Sequence, residues 1–184
     1  MPDYRRWYVP GGMYFFTLVT HERRPFLCDD VARKLLRESI EKVREDLPFR
    51  LFEIVLLPGH LHAVMSLPDG DDRYPLRWKR IKELFTRDYL AAGGDEGFLS
   101  KSRVAKGERA VWQRRYWEHT IDSEDDLKRC VDYLHWNPKK HRLVTRVRDW
   151  PWSSFHRFVE LGEYDPDWGS ADPTTEWPSA DWGE

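Results

Sequence analysis

The sequence predicts an α+β fold, a mainly antiparallel sheet with helices packed on one face. Three observations point to it. Short aromatic and β-branched runs are bounded by Gly, Pro or charged clusters, longer segments carry apolar residues at helical spacing, and the elements follow in the order strand, helix, strand, strand, helix, strand, helix. A length of 184 residues suits one core.

Met13 to Thr20 (MYFFTLVT) follows Gly11-Gly12 and stops at a charged cluster, so it reads as the first strand. The helix after it is capped by Asp29 or Asp30, carries Val31, Leu35, Leu36, Ile40, Val43 and Leu47 near helical spacing, and stops at Pro48. Phe49 to Leu57 is the second strand. Pro58-Gly59 makes a turn or bulge, and His60 to Leu67 is the third strand, with Leu61, Ala63, Met65 and Leu67 on one face and His60 and His62 on the other. Trp78, Ile81, Phe85 and Tyr89 mark a second amphipathic helix that frays at Ala91-Ala92-Gly93-Gly94. The polar, basic stretch up to Arg109 reads as including a mobile loop, and Val111 to Tyr116 as the fourth strand. Ser123-Glu124-Asp125-Asp126 resembles a capping box, with Asp where Glu or Gln is usual. It opens a third helix that carries Tyr133 and is expected to end near Asn137-Pro138, because the residue before a proline is pushed out of helical geometry. Beyond Phe158 the chain is rich in Pro, Asp and Trp and is expected to wrap the surface or be partly disordered, which divides the chain into a domain over 1–158 and a tail over 159–184.

Hydrophobic residues make up 40% of the chain, and no run approaches the ~20 apolar residues of a membrane span, so the expectation is a soluble protein. The start, Met1-Pro2-Asp3-Tyr4-Arg5-Arg6, lacks the apolar run of a secretory signal, and Cys28 and Cys130 show no metal spacing. Both features suit a cytoplasmic chain with free thiols. The formal charge of -2 hides an asymmetry, since residues 149–184 sum to -8 and residues 1–148 to +6. A basic body is compatible with phosphate binding by a local patch. The ten tryptophans could stack on unpaired bases, although core packing accounts for most tryptophans in most proteins. The acidic tail, with Trp168, Trp177 and Trp182, could compete with a nucleic acid for the basic patch, or simply solvate the protein.

In His60-Leu61-His62 the alternation of a strand puts both imidazoles on one face, close enough to chelate one ion; the plainer reading is a solvated or hydrogen-bonded pair. Tyr133 and Asn137 are four residues apart and share a helical stripe. Leu127, Val131 and Leu134 define the apolar face of that helix, and Tyr133 falls to its side, where a merely structural tyrosine would more naturally be centred.

Three separated motifs carry a family resemblance: Leu57-Pro58-Gly59-His60-Leu61-His62-Ala63-Val64, Trp112-Gln113-Arg114-Arg115-Tyr116-Trp117-Glu118-His119, and Asp132-Tyr133-Leu134-His135-Trp136-Asn137-Pro138. The chain resembles the REP-associated tyrosine transposases, a branch of the single-tyrosine HUH transposases, from Tyr4-Arg5-Arg6 through Asp149-Trp150-Pro151-Trp152-Ser153-Ser154-Phe155. The resemblance implies a ferredoxin-like, HUH-type single domain. It implies that Tyr133 attacks a DNA phosphodiester, leaving a 5′-phosphotyrosine and a free 3′-hydroxyl, and that strands are rejoined without a nucleotide cofactor. His60, His62 and Asn137 correspond to the metal ligands. Donor softness alone would admit zinc or other transition ions, and magnesium or manganese is the family's implication. The partner implied is a single-stranded DNA hairpin of the repetitive extragenic palindromic type, with no membrane involved.

The family commonly reads Asn-Pro-Val-Lys-His-Gly after the tyrosine helix, whereas here Lys139 replaces the Val and Arg142 the Gly, so a different turn is expected. Arg5, Arg6, Arg114, Arg115, Lys139 and Lys140 lie in or beside the motifs and are the candidate DNA contacts. His119 reads as a structural hydrogen-bonding residue and His135 as a helix-surface residue. Two other function classes compete: a DNA-hairpin binding protein that does not cleave, and a metal-dependent nuclease that activates water. Only the transposase forms a covalent DNA adduct. The oligomeric state is not legible in the sequence.

Overall fold

The computed structural model describes residues 7–170. Its central strand, β1 (Met13–Val19), is apolar on both faces and needs cover on both sides. With β2 (Arg50–Leu57), β3 (His60–Ser66) and β4 (Trp117–Ile121) it forms one antiparallel sheet in the order β2-β3-β1-β4. This is the α+β, ferredoxin-like architecture expected from the sequence.

The helices, however, cover both faces of the sheet, where the sequence reading put them on one. α1 (Asp30–Asp46) and α2 (Tyr74–Ala91) pack on each other and on Tyr14, Phe16, Leu18, Leu61, Ala63 and Met65. A short α3 (Lys101–Ala105) follows, and α4 (Glu124–Lys140) closes the opposite face, where Phe15, Val55, Leu57 and Val64 meet Cys130, Val131, Tyr133 and Leu134. The cause lies in β1, which turns Phe15 and Phe16 to opposite faces; exposing either ring would cost roughly 1.5–3 kcal/mol.

The fourth strand is Trp117–Ile121, later than the expected Val111–Tyr116. Val111 and Trp112 are both buried, which is the mark of a packed crossing segment and not of an alternating strand, and they join the sheet through an isolated bridge between Trp112 and Thr20. The stretch expected as a mobile loop contains α3 and is tied down by Arg24, whose guanidinium donates to Asp95 O at 2.9 Å, and by the Arg109 to Glu96 bond at 2.7 Å.

α4 runs to Lys140, past Pro138, so the expected stop at Asn137-Pro138 is corrected. Its end is a Schellman motif: Leu143 N–H donates to Pro138 O at 3.0 Å and Arg142 N–H to Lys139 O at 2.9 Å, with Arg142 at φ 57°. The turn expected to differ with arginine therefore keeps the left-handed geometry glycine prefers. Arg142→Gly should raise stability by about 0.5–1 kcal/mol, read as a higher urea midpoint at unchanged slope.

Packed structure continues past residue 158. α5 (Phe155–Glu160) is followed by Tyr164 and Trp168, which pack with Phe155 and Trp136. Trp177 and Trp182, like Arg5 and Arg6, lie outside the described residues.

Candidate active site

Gly59 sets where β3 begins. A Cβ there would come within 2.7 Å of Arg23 O, so only glycine lets the turn tuck under that carbonyl, and the Thr20 hydroxyl and amide both donate to Gly59 O, at 2.9 and 3.0 Å. The register then aligns Val55, His62, Thr17 and Trp117 in one row across the sheet, and Leu57, His60 and Val19 in the next. His60 and His62 sit edge to face with ring centroids 5.0 Å apart. They are 5% and 0% exposed, so the polar face expected for them is in fact a buried surface under α4. His62 Nδ1 is 2.8 Å from the Thr17 hydroxyl, a contact that fixes the orientation of the ring.

α4 opens with Ser123 Oγ accepting the Asp126 amide at 3.2 Å, the cap expected from the sequence. Tyr133, Asn137 and His141 follow one another at intervals of four along one stripe. Tyr133 lies over His62 with centroids 5.5 Å apart, and His141 over His60 at 5.0 Å. Asn137, fully buried, sits between them on the same stripe. Tyr133 is itself part of the apolar contact, edge-on to Phe15 at 6.1 Å, and not to its side as the spacing suggested. Its hydroxyl accepts a hydrogen bond from the Lys140 ammonium at 2.8 Å, so this lysine touches the tyrosine.

The donor set fits a divalent cation. Two imidazoles lie with centroids 5.0 Å apart, the helix above them carries a buried amide, and one imidazole has its second nitrogen engaged by a hydroxyl, as metal-bound histidines commonly do. Sequence reasoning missed His141 and Thr17. For His141 the signal was there, since it continues the interval of four from Tyr133 and Asn137; Thr17 becomes visible only with the β1–β3 register.

No protein-family profile matches the chain. It is 40% identical over 168 residues to a REP-associated tyrosine transposase of Escherichia coli, covering 91% of each chain. The chain belongs to the REP-associated tyrosine transposases. A Haemophilus influenzae protein of the family is 40% identical over 169 residues, 92% of this chain and 94% of that one. The solved structure of a REP-associated tyrosine transposase bound to a REP hairpin superposes with a TM-score of 0.77 at 40% identity, covering 96% of this chain and 94% of that one. By family, then, the chain is a tyrosine transposase with the same single-domain fold. Among the described residues no helix is long and apolar enough to cross a membrane.

The other candidates fall in different places. Lys139 folds back on the C-terminal segment, donating to Gly169 O at 2.9 Å and Ser170 O at 3.1 Å. Arg114 pairs with Glu108 at 2.5 Å and lines a cleft beside α2; Arg115 is exposed nearby. His119 Nε2 is 2.7 Å from Asp126, the structural bond expected of it. With Cys130 these two form a group whose donor atoms lie within 4.8 Å of one another. Burial alone would raise Asp126, but the bonds from His119, Arg129 and the Asp122 amide outweigh it and hold the carboxyl below its ordinary range.

His135 is fully buried, which corrects its reading as a surface residue. It faces away from the Tyr133 stripe, with Nε2 3.5 Å from Glu53 and Nδ1 3.4 Å from Ser153 Oγ, and so fixes the back of α4 to β2 and the C-terminal segment. Burial pushes His135 down to about 3 and Glu53 up to about 7, although Ser154 and Arg157 pull Glu53 the other way. A carboxyl raised on folding costs stability once the unfolded chain ionises. Relative to Glu53→Gln, the wild type should therefore lose stability as pH rises from about 4.5 to about 7 and no further above that, by an amount on the order of 3 kcal/mol in urea titrations. A difference independent of pH would mean that Glu53 is ionised throughout.

Proposed function

We propose that the chain cleaves and rejoins single-stranded DNA at REP-type hairpins through a 5′-phosphotyrosine on Tyr133. The observation that carries this reading is Tyr133, whose ring packs against His62 and whose hydroxyl accepts from Lys140, with Asn137 and His141 on the same stripe. The Tyr133 oxygen attacks phosphorus, the bond to the 3′-oxygen breaks, the phenol proton passes to solvent and a proton completes the 3′-hydroxyl. Rejoining is the reverse, with an incoming 3′-hydroxyl displacing Tyr133, so no nucleotide is consumed. Lys140 puts positive charge beside the oxygen that gives up its proton, and the rigid α4 stripe limits where the phosphate can lie. His60, His62 and Asn137 would hold a divalent cation, magnesium or manganese, which when bound supplies charge neutralisation at the phosphate oxygens. A hairpin partner is supported by the 40% identical structural relative, itself bound to a REP hairpin.

One incubation tests the reading. An end-labelled REP-type hairpin with its single-stranded foot is mixed with protein and Mg2+ or Mn2+ and run on a denaturing protein gel. Label that migrates with the protein, and maps to Tyr133 by mass, is the expected result. Free 5′-phosphate ends without an adduct would make the protein a water-using nuclease, and intact DNA bound without cleavage would make it a binding module.

A further inference from the structure

Where the edge strand β4 meets the first two turns of α4, a second group of metal-ligating side chains comes together, nearer the start of the helix than Tyr133 and unused by the reaction. His119, Asp126 and Cys130 each bring one donor atom, and the three atoms lie within 4.8 Å of one another. Two periodicities in the sequence put them there. In β4, Trp117, His119 and Ile121 alternate to one face, the face that packs under α4, and the His119 ring stacks on Trp117 at an interplanar angle of 13°. In α4, Asp126 and Cys130 are four residues apart and so share one stripe.

We propose that His119, Asp126 and Cys130 bind zinc or a similar borderline-soft divalent ion, with water in the fourth position on the partly exposed side of His119. An imidazole, a carboxylate and a thiolate select such an ion over magnesium, which prefers oxygen donors alone. A tetrahedral ion with bonds of about 2.0–2.3 Å needs its donors about 3.3–3.6 Å apart. The His119 Nε2 to Asp126 Oδ2 separation is 2.7 Å and no pair exceeds 4.8 Å, so side-chain rotations reach that spacing without moving the strand or the helix. Cys130 is a free, fully buried thiol whose sulfur makes no hydrogen bond to the described residues. Its partner Asp126 is held in the ionised form by its bonds. Binding breaks the S–H bond, forms a metal–sulfur bond and releases the thiol proton to solvent, while the neutral imidazole keeps its proton on the nitrogen that does not bind.

The surroundings suit a ligating carboxylate. Arg129 donates to Asp126 Oδ1 at 3.2 Å and the Asp122 amide to Oδ2 at 3.3 Å, outer partners that hold the carboxyl in place. Glu124, Asp125 and Asp126 fill the first turn of α4, and their three negative charges outweigh the Arg129 cation and the roughly half charge of the helix end. Cys130 stands three residues before Tyr133, so an ion here fastens the helix that carries Tyr133 to the edge of the sheet. The site stands on its own residues and does not depend on the hairpin reading.

The test titrates the full chain, its thiols kept reduced, with Co2+ as an optical stand-in for zinc. A thiolate-to-cobalt charge-transfer band in the near ultraviolet should grow to one equivalent, disappear when Zn2+ is added, and survive excess Mg2+. His60, His62 and Asn137 contain no sulfur and cannot produce that band. Cys130→Ala should abolish it, and Cys28→Ala should leave it unchanged. His119→Gln, at a partly exposed position that tolerates the change, should weaken Co2+ binding by more than about 100-fold, beyond what the loss of an outer partner costs. This last variant decides the matter by itself if Cys130→Ala is too unstable to purify. A wild type without the band, a band that persists in Cys130→Ala, or Co2+ affinity unaffected by His119→Gln would overturn the proposal and leave the three residues as a hydrogen-bonded cluster.

Discussion

Tyr133→Phe should leave hairpin binding within about twofold of the wild type and remove the covalent adduct, a loss on the order of 10⁴-fold or more, the scale on which enzymes lose activity with their nucleophile. The substitution is sharp because it deletes one oxygen and little else. The ring packs edge-on against Phe15 and His62, and both contacts survive in phenylalanine. What disappears includes the acceptor for Lys140, a hydrogen bond worth about 1 kcal/mol at the end of α4. The thermal midpoint should therefore fall by a few degrees at most. The measurement is retention of label on the protein after denaturation, with anisotropy for binding. An adduct formed by the phenylalanine variant at the wild-type rate would mean that another residue attacks the phosphate.

The frame around this tyrosine was legible because its signals are local. Met13–Val19, Asp30–Asp46 and the pair of strands joined at Pro58-Gly59 are written in short-range alternation, helical spacing and turn chemistry, and the structure keeps them nearly residue for residue. The misses came where the deciding contact is distant in sequence. Val111 and Trp112 look like a strand, yet burial against α2 claims them, and the strand forms five residues later along β1. Pro138 looks like a helix stop, yet the Schellman turn beyond it holds α4 for another half turn. The two-sided packing of the sheet was present in Phe15-Phe16 but is decided by α4, more than a hundred residues away. The histidines and Tyr133 could be chosen one at a time from residue type and spacing; that they lie under one helix, with Lys140 on the hydroxyl and Thr17 behind His62, required the fold.

Burial also changes what histidine substitution is expected to do. Were His60 and His62 on an open polar face, alanine would remove the metal and spare the fold. His62 is instead fully enclosed between Thr17, Phe15 and Tyr133, so His62→Ala opens a cavity and takes away the Thr17 partner, at a cost of about 2–4 kcal/mol. Loss of cleavage in that variant alone would not separate metal binding from damage to the fold. His60→Ala is the better instrument, because His60 packs against the exposed His141 at the mouth of the site and its removal should cost less. Thr17→Val is its companion. It keeps the volume near His62 but removes the hydroxyl on Nδ1, and losses behind a metal ligand run to about 10–100-fold in metal affinity or activity. We expect His60→Ala to abolish adduct formation with a thermal midpoint lowered less than that of His62→Ala, and Thr17→Val to shift the Mn2+ dependence of cleavage to higher concentration by about 10–100-fold, with the rate recovered at saturating metal. Chelator added to the wild type should reproduce His60→Ala. Hairpin binding should persist in all three cases, since none of them removes a lysine or arginine proposed to contact DNA. Undiminished cleavage in chelator would remove the metal from the reaction, and a Thr17→Val variant whose rate falls equally at every Mn2+ concentration would show that the hydroxyl supports the fold and not the ligand.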